Sequence, residues 1–262
     1  MSSLFSVKDV SLSFSSRKVF SDISLNINRG EICTLLGSSG LGKTTLIKLL
    51  TGQVKPDSGV ILFNNYRVDN IKIKDLYKIR KKMSVLFQHP ALFSDMTVFE
   101  NVAFPLFEHT DLHYNVIRSL VLMRLEMFGL RFSSEYMPLQ LSGGMNRRVA
   151  FSRSTVLQPD IIFLDEPFVG QDPVSVNSLI KSINFLNKNL GITCFMVSHN
   201  VEASLSISDK VFLLSNNKII DCGSPEEFSS LNNKEVHSFL YGGSSSDNNS
   251  SSFEEYYECL LC

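Results

Sequence analysis

The apolar positions of the chain change their spacing several times along its length. From residue 4 to residue 31 they alternate, as at Val10 and Leu12, which is typical of strands with one buried face. Residues 32–36 and 161–164 are instead nearly continuous apolar runs, which predict parallel strands buried on both faces. We therefore expect an α/β fold in which an antiparallel β-subdomain accompanies a parallel sheet.

Strand character disappears at about residue 93, and helical spacing takes its place. Residues 120–126 read as a helix that ends near Gly129, so we expect an inserted helical subdomain over about residues 93–155. After the second buried strand, residues 174–190 predict a long helix and residues 193–198 a further strand.

The composition changes abruptly near the carboxyl terminus. Residues 242–252 form a Gly/Ser/Asn tract without apolar side chains, and we interpret them as a flexible linker after a single domain at residues 1–241. Residues 253–262 carry aromatic side chains and leucines again. Two interpretations stay open for this tail: it docks on a neighbouring subunit, or it is a frayed terminus.

A glycine-rich turn follows the first buried strand and precedes a predicted helix. Its residues are, in chain order, Gly37, Ser38, Ser39, Gly40, Leu41, Gly42, Lys43, Thr44 and Thr45. The glycines let successive backbone N–H groups point at a phosphate, and the following helix adds the positive end of its dipole. Lys43 supplies a charge for the β- and γ-phosphates, and the Thr44 hydroxyl is expected to ligate Mg²⁺. This context predicts an ATP site.

Two carboxylates follow the second buried strand directly. Ligands of open α/β sheets bind at the carboxyl ends of the strands, where Asp165 and Glu166 would lie. We assign Asp165 to the Mg²⁺ shell, and Glu166 to orienting and deprotonating the water that attacks ATP. An acidic loop after a core strand is common by itself, but here it accompanies a phosphate loop.

A second anion-binding element precedes the helix that begins near residue 143. Ser142, Gly143 and Gly144 are typical of a helix amino terminus with exposed N–H donors. A chain that already holds phosphate at residues 37–45 does not need a second such element for the same nucleotide. We therefore expect it to cover the γ-phosphate bound by an opposite copy, which predicts a dimer.

The order of these motifs over residues 4–230 resembles the nucleotide-binding domain of ABC transporters. The motifs are the phosphate loop, a glutamine loop at Gln88, the signature at Ser142, the carboxylates at Asp165, a loop at Asp172 and a switch at His199. The resemblance implies ATP and Mg²⁺ as cofactors. It also implies that Gln88 reaches Mg²⁺, that Asp172 lies at the nucleotide, that His199 holds the γ-phosphate and that Phe14 stacks on adenine.

Three stretches, residues 83–88, 91–106 and 165–173, are similar to one branch of that family, which moves phospholipids between inner and outer membranes. Met145 after the signature glycines agrees with this branch. Asn200, where an aspartate is usual, should still cap the following helix. The branch implies several partners: a second copy of the chain, a membrane permease, a small STAS-domain regulatory subunit and a lipid-binding MCE protein.

The resemblance also implies a groove for a permease helix just after Gln88. Leu92 and Phe93 lie at that point, and an apolar groove is what an amphipathic helix fills. Core packing is the other explanation for the aromatic residues in this region, which are Phe87, Phe93, Phe99, Phe104 and Phe107.

Bulk properties exclude several classes of protein. The chain has 262 residues, 44% of them hydrophobic and 19% charged, with a formal net charge of −1, so it lacks the basic field that nucleic acid requires. No apolar run approaches the roughly 18 to 20 residues of a spanning helix, and no export signal is recognisable. Five cysteines without regular spacing fit a reducing compartment. We expect a peripheral subunit on the cytoplasmic face of the inner membrane.

Other ATPases fit the sequence less well. A DNA-repair or chromosome ATPase would carry a long insertion with heptads, and the segment between Lys43 and Asp165 has none. A module that only senses nucleotide would have lost Glu166 or Lys43, and both are present. The ATPase of another importer, for amino acids or metals, remains the alternative.

Overall fold

The computed structural model describes residues 2–15 and 17–241. Within these ranges the strands are β1 (Ser3–Phe14), β2 (Arg17–Asn28), β3 (Ile32–Leu36), β4 (Ser58–Phe63), β5 (Tyr66–Arg67), β6 (Met83–Leu86), β7 (Ile161–Asp165), β8 (Thr193–Ser198), β9 (Lys210–Ser215) and β10 (Lys218–Asp221).

The helices alternate with these strands over most of the chain. They are α1 (Lys43–Leu50), α2 (Ile73–Arg80), α3 (Val98–His109), α4 (Tyr114–Met127), α5 (Gly143–Thr155), α6 (Pro173–Leu190), α7 (Val201–Leu205), α8 (Pro225–Ser230) and α9 (Lys234–Tyr241), with 3₁₀ turns at Arg131–Ser133 and Pro138–Gln140.

A four-stranded antiparallel sheet has the order β2-β1-β4-β5. The pairing of β1 with β2 shifts register between Val7 and Val10, and Asp9 has a φ of 51° there. This bulge lets Val7 and Val10 face the core together, although the spacing between them is not that of a regular strand. Gly59 on β4 is required opposite the bulge, because an added Cβ would lie 2.5 Å from the Asp9 carbonyl oxygen.

The central sheet has six strands in the order β10-β9-β3-β8-β7-β6, and all neighbours in it are parallel except β10 and β9. Every residue of β3, β7 and β8 is buried, as expected for strands covered on both faces. Parallel strands end at the same edge of a sheet. The residues that follow β3, β7 and β8 are therefore brought together there.

Between β6 and β7 the chain is helical, with α3, α4 and α5 and no strand. Thr97 begins α3 with a capping box, in which its side chain accepts from the Glu100 backbone and Glu100 accepts in return. α3 packs on both α4 and α5. The antiparallel β-subdomain and the inserted helical subdomain of the predicted fold class are thus confirmed.

The apolar core is divided by the central sheet. One cluster fills the space between the two sheets, where Phe5 lies 4.9 Å from Phe63 and 5.8 Å from Phe163, measured between ring centroids. A second cluster joins the opposite face of the central sheet to the helical subdomain. Apolar residues thus pack against the central sheet from both faces.

Two sequence-based expectations concern parts of the chain that the structure does not describe. The linker at 242–252 and the docking tail at 253–262 both lie outside the described residues. Within the described ranges, no helix combines the length and apolarity needed to cross a membrane.

Candidate active site at the edge of the central sheet

The phosphate loop connects β3 to α1 at the edge of the central sheet where β3, β7 and β8 end. Gly42 caps α1 with a φ of 102°, and an added Cβ would lie 2.7 Å from Val19 Cγ1. Only glycine fits there without strain. Ser38, Ser39 and Gly40 are exposed, so the loop presents its backbone to an incoming ligand.

Lys43 lies across this loop and is only 6% exposed. Its ammonium donates to the carbonyl oxygens of Gly37, at 2.7 Å, and Ser38, at 3.2 Å. The same ammonium pairs with Glu166 Oε1 at 3.2 Å. The charge predicted to contact phosphate is therefore held by protein oxygens that an arriving phosphate group must replace.

Thr44 and Asp165 meet beside this lysine. The Thr44 hydroxyl lies 2.9 Å from Asp165 Oδ2 and 3.1 Å from Oδ1, which places two oxygen ligand types side by side. Hydroxyl, carboxylate and phosphate oxygens are the ligands that Mg²⁺ prefers. These residues fit the metal that the motif implies.

The third acidic contact joins Glu166 to His199. Glu166 Oε2 lies 2.9 Å from His199 Nδ1 and accepts a second bond, at 3.2 Å, from the His199 backbone N–H. Glu166 has a φ of 48°, a left-handed conformation that is uncommon for a non-glycine residue, and its backbone N–H donates to the Val197 carbonyl. The ends of β7 and β8 thus hold the Glu166 and His199 side chains in contact with each other. Half of the His199 side chain stays exposed.

Burial raises the pKa of the Asp165 carboxyl, and the nearby charge of Glu166 acts in the same direction. The folded protein then holds this proton to higher pH than the unfolded chain does. Ionisation of Asp165 therefore lowers the stability of the nucleotide-free protein, and this loss grows as pH rises from the usual range of an aspartate through the raised pKa.

We predict that Asp165→Asn raises the thermal unfolding midpoint in Mg²⁺-free, nucleotide-free buffer, more at pH 7.5 than at pH 5. Asparagine can still accept from Thr44 but carries no buried charge. The control is Asp172→Asn, because the Ser175 hydroxyl lowers the pKa of Asp172 and substitution there should not stabilise. A midpoint for Asp165→Asn at or below that of wild type would show that burial of this charge is not destabilising.

A cleft of about 310 Å³ opens beside the phosphate loop. Its lining residues are Phe14, Arg17, Lys18, Val19, Gly40, Leu41, Gly42, Thr45 and Asn217. Phe14, at the end of β1, is 51% exposed, so this aromatic residue is accessible to a ligand in the cleft. The structure places this residue in one cleft with Gly40, Leu41 and Gly42 of the phosphate loop.

The signature segment begins α5. Ser142 caps this helix by accepting from the Met145 N–H, and Ser142 and Gly143 are exposed. Asp172 caps α6 in the same way, accepting from the Ser175 backbone at 3.0 Å. An added Cβ on Gly144 would lie 3.6 Å from Ser175 Oγ, so the two helix starts are neighbours.

The structure does not bring all the predicted residues together in one chain. Among the described residues, no hydrogen bond or ion pair joins Ser142, Gly143 or Gly144 to the phosphate loop. Gln88 is exposed, and its backbone carbonyl accepts a hydrogen bond from Arg147. The cluster at the end of the strands thus contains Lys43, Thr44, Asp165, Glu166 and His199, without the signature.

Sequence reasoning did not single out three polar residues near this site. Arg17 donates to the Gly40 carbonyl at 3.1 Å, and Asn217 lines the cleft. Arg147, on α5, donates to the carbonyls of Gln88 and Val169. The two arginines bind backbone carbonyls of residues far away in sequence, and Asn217 lies on a turn far from the phosphate loop in sequence. No local motif signals such contacts.

Comparison with known proteins gives the family. Residues 20–169 match the family described as ABC transporter. The chain is 46% identical over 242 residues to MlaF of Escherichia coli (strain K12), named an intermembrane phospholipid transport system ATP-binding protein, covering 92% of this chain and 90% of MlaF.

Solved structures agree with this match. CbiO1 of Clostridium perfringens, described as part of the ABC transporter complex cbiONQ, superposes with a TM-score of 0.82 at 30% identity, covering 92% of this chain and 96% of cbiO1. The ATP-binding cassette MJ0796, described as a dimer in a post-hydrolysis state with ADP and Pi, gives a TM-score of 0.74 at 26% identity, covering 83% of this chain and 98% of the cassette. The fold, the clustered phosphate-loop and carboxylate residues and the sequence match together establish that the chain belongs to the ABC transporter family.

Proposed function

We propose that the chain is the ATP-binding and ATP-hydrolysing subunit of an ABC transporter that moves phospholipids between inner and outer membranes. The observation that carries the hydrolytic part is the convergence of Lys43, Thr44, Asp165, Glu166 and His199 at one edge of the sheet. The cargo is supported by the 46% identity to a protein named for intermembrane phospholipid transport.

In the proposed site the phosphate loop, residues 37–45, holds the phosphates of ATP through its backbone N–H groups. Lys43 exchanges its bonds to Gly37, Ser38 and Glu166 for bonds to the β- and γ-phosphates. Thr44 and Asp165, with the Gln88 side chain, would hold Mg²⁺, which neutralises phosphate charge when bound. The adenine lies in the cleft against Phe14.

Glu166 is the proposed base. Once Lys43 is engaged by phosphate, Glu166 loses its ammonium partner and its carboxylate is free to accept a proton from the attacking water. His199, which already contacts Glu166 Oε2 and is half exposed, is placed to donate to the γ-phosphate from the same side. The short contacts orient both groups before the substrate arrives.

The signature segment completes the site only from a second copy. Ser142 and Gly143 are exposed at a helix start, which attracts anions, yet among the described residues no hydrogen bond or ion pair joins Ser142, Gly143 or Gly144 to the phosphate loop of their own chain. Asp172, at the neighbouring helix start, would lie at the same interface. Two chains thus enclose two ATP molecules, closure moves the permease, and hydrolysis reopens the pair. The structure of MJ0796, described as dimeric, supports this arrangement.

The expected partners follow from the proposed transport system. They are a second copy of the chain, an MlaE-like permease, an MlaB-like STAS-domain subunit and an MlaD-like MCE protein. We place the chain on the cytoplasmic face of the inner membrane, attached through the permease. The domain at 1–241, its helical subdomain at about 93–155, and a tail that docks on a partner remain parts of this proposal.

The cargo is tested by purifying the chain with its native membrane partner and identifying the lipids that accompany it by mass spectrometry. Phospholipid retained by the complex and released on ATP addition is the expected result. Bound amino acid or metal instead, with phospholipid at the level of an unrelated membrane protein, would favour an importer. ATP hydrolysis by the purified complex is measured in parallel, so that an error in the cargo assignment can be distinguished from a lack of ATPase activity.

Phe93 is the residue we expect to contact the permease. Its backbone is fixed by Asn101, which is fully buried and bonds both the N–H and the carbonyl of Phe93, but Phe93 as a whole is 38% exposed. The ring is supported from below by Phe104, with 4.9 Å between centroids. A partly exposed aromatic whose backbone is held in place is suited to anchoring a helix in a groove.

We predict that Phe93→Glu weakens co-purification of the permease by tenfold or more, on the order of the loss of one hot-spot side chain, with ATP affinity unchanged. The matched control is Phe185→Glu, because Phe185 has a similar exposure of 42% but lies on α6. Equal recovery of the permease by wild type and Phe93→Glu would place the contact elsewhere.

A further inference from the structure

Arg147 is a buried arginine near the start of α5. The residue is only 4% exposed. Nη2 donates to the Gln88 carbonyl at 2.8 Å, and Nη1 lies 3.4 Å from the Val169 carbonyl. The guanidinium of this residue of α5 therefore contacts two loops.

Both loops carry residues of the candidate active site. Gln88 is itself a proposed Mg²⁺ ligand, and Val169 lies between Glu166 and Asp172. The helix that carries Arg147 begins at the signature, which is proposed to face the nucleotide of the opposite copy. Three elements that must act together in hydrolysis are thus joined at a single side chain.

The burial of Arg147 is not explained by an ion pair. Among the salt bridges of the described residues, none involves this guanidinium. Burial lowers the pKa of Arg147, which reflects the unfavourable loss of water around the charge. Hydrogen bonds to the two carbonyls offset part of this cost. Because the guanidinium is planar and rigid, it fixes the separation of the two carbonyls.

We propose that Arg147 is a positioning residue for ATP hydrolysis, which sets the Gln88 loop and the loop after Glu166 at a fixed distance and ties both to the signature helix. The inference rests on the proposed ATPase function. Arg147 itself does not contact the nucleotide in this arrangement. Its effect is transmitted through the backbone of Gln88 and Val169.

A second arginine on α5 extends the same attachment. Arg153 donates to the carbonyls of Pro90, at 3.0 Å, and Ala91, at 2.9 Å, and its guanidinium lies 5.6 Å from the centroid of the Phe93 ring. By contrast, Arg148 donates to the Phe128 carbonyl at the end of α4. Arg148 is therefore a natural control, since it anchors the same helix without contacting either nucleotide loop.

The test compares Arg147→Lys with Arg148→Lys. A lysine keeps the charge, but its single ammonium lacks the fork that spans two carbonyls. We expect Arg147→Lys to accelerate amide hydrogen exchange over residues 86–91 and to lower kcat by about 10- to 100-fold, the usual range for residues that orient a metal ligand. The Mg²⁺ concentration for half-maximal activity should rise, whereas ATP binding, which depends on residues 37–45, should not change.

Arg148→Lys should leave the exchange of residues 86–91 and the Mg²⁺ dependence as in wild type. Arg147→Gln, which removes the charge, serves as a second variant if the lysine variant unfolds. The inference is overturned if a folded Arg147 variant matches wild type in exchange and Mg²⁺ dependence, or if Arg148→Lys shows the same changes. A wild-type chain without ATPase activity would instead contradict the proposed function, while the exchange measurement would still report on Arg147.

Discussion

Replacing Glu166 by glutamine should slow ATP hydrolysis by about 10²- to 10⁴-fold, the usual contribution of a general base. The carboxylate lies within hydrogen-bond distance of both Lys43 and His199 and is only 14% exposed. No second carboxylate in the cluster is equally placed, because Asp165 is directed at the Thr44 hydroxyl. Glutamine keeps the shape of the side chain but cannot take a proton from water.

The same substitution should not weaken ATP binding. In the nucleotide-free protein Glu166 pairs with the ammonium of Lys43 at 3.2 Å, and this pair has to break when phosphate binds. Removing the negative charge removes a competitor for Lys43. We therefore expect an ATP-stabilised dimer that persists because turnover is stalled.

Phosphate release and size-exclusion chromatography in the presence of ATP and Mg²⁺ measure the two effects of Glu166→Gln. Glu202→Gln is the matched control, because Glu202 is an exposed glutamate in the first turn of α7, just after His199. Brisk hydrolysis by Glu166→Gln would show that another group accepts the proton.

Much of the fold could be predicted from the sequence, because its main signals are local. A nearly continuous apolar run predicts a strand such as β3 or β7 wherever it occurs, and both lie within one residue of the expected bounds. The glycines of the phosphate loop reflect a steric requirement that is visible in sequence, as the 2.7 Å contact at Gly42 illustrates. Ser142 at the start of α5 and Asn200 at the start of α7 are helix caps for an equally local reason.

The contacts of the site depend instead on the order of the strands in the sheet. No local pattern in the sequence reveals that order. Lys43, Glu166 and His199 meet because β3, β8 and β7 are neighbours in the central sheet. The left-handed backbone of Glu166 has no sequence signal, since glutamate is not a residue that favours it. Arg147 was missed for the same reason, because its acceptors are backbone carbonyls in loops far away in sequence. The roles assigned to individual site residues therefore remain predictions.

Gly144→Asp should abolish most hydrolysis without loss of folding or of ATP binding to a single chain. Gly144 has no left-handed backbone, and an added Cβ would make an ordinary 3.6 Å contact with Ser175 Oγ. A carboxylate at a helix start stabilises the helix but occupies the place where the partner's γ-phosphate should bind. Gly144→Ala, which adds the Cβ without the charge, is the control and should retain more activity.

The central claim is that each hydrolytic site is divided between two chains. It is tested most directly by combining Gly144→Asp in one chain with Lys43→Met in the other and purifying the mixed pair through two different tags. Such a pair has one complete site, formed by Lys43 of the first chain and the signature of the second. The account predicts that each variant alone is inactive and that the mixed pair recovers about half of the wild-type turnover per dimer, if the two sites of a symmetric pair act independently. Activity of the mixed pair no higher than that of its inactive parents, or full activity of Gly144→Asp alone, would contradict a divided site.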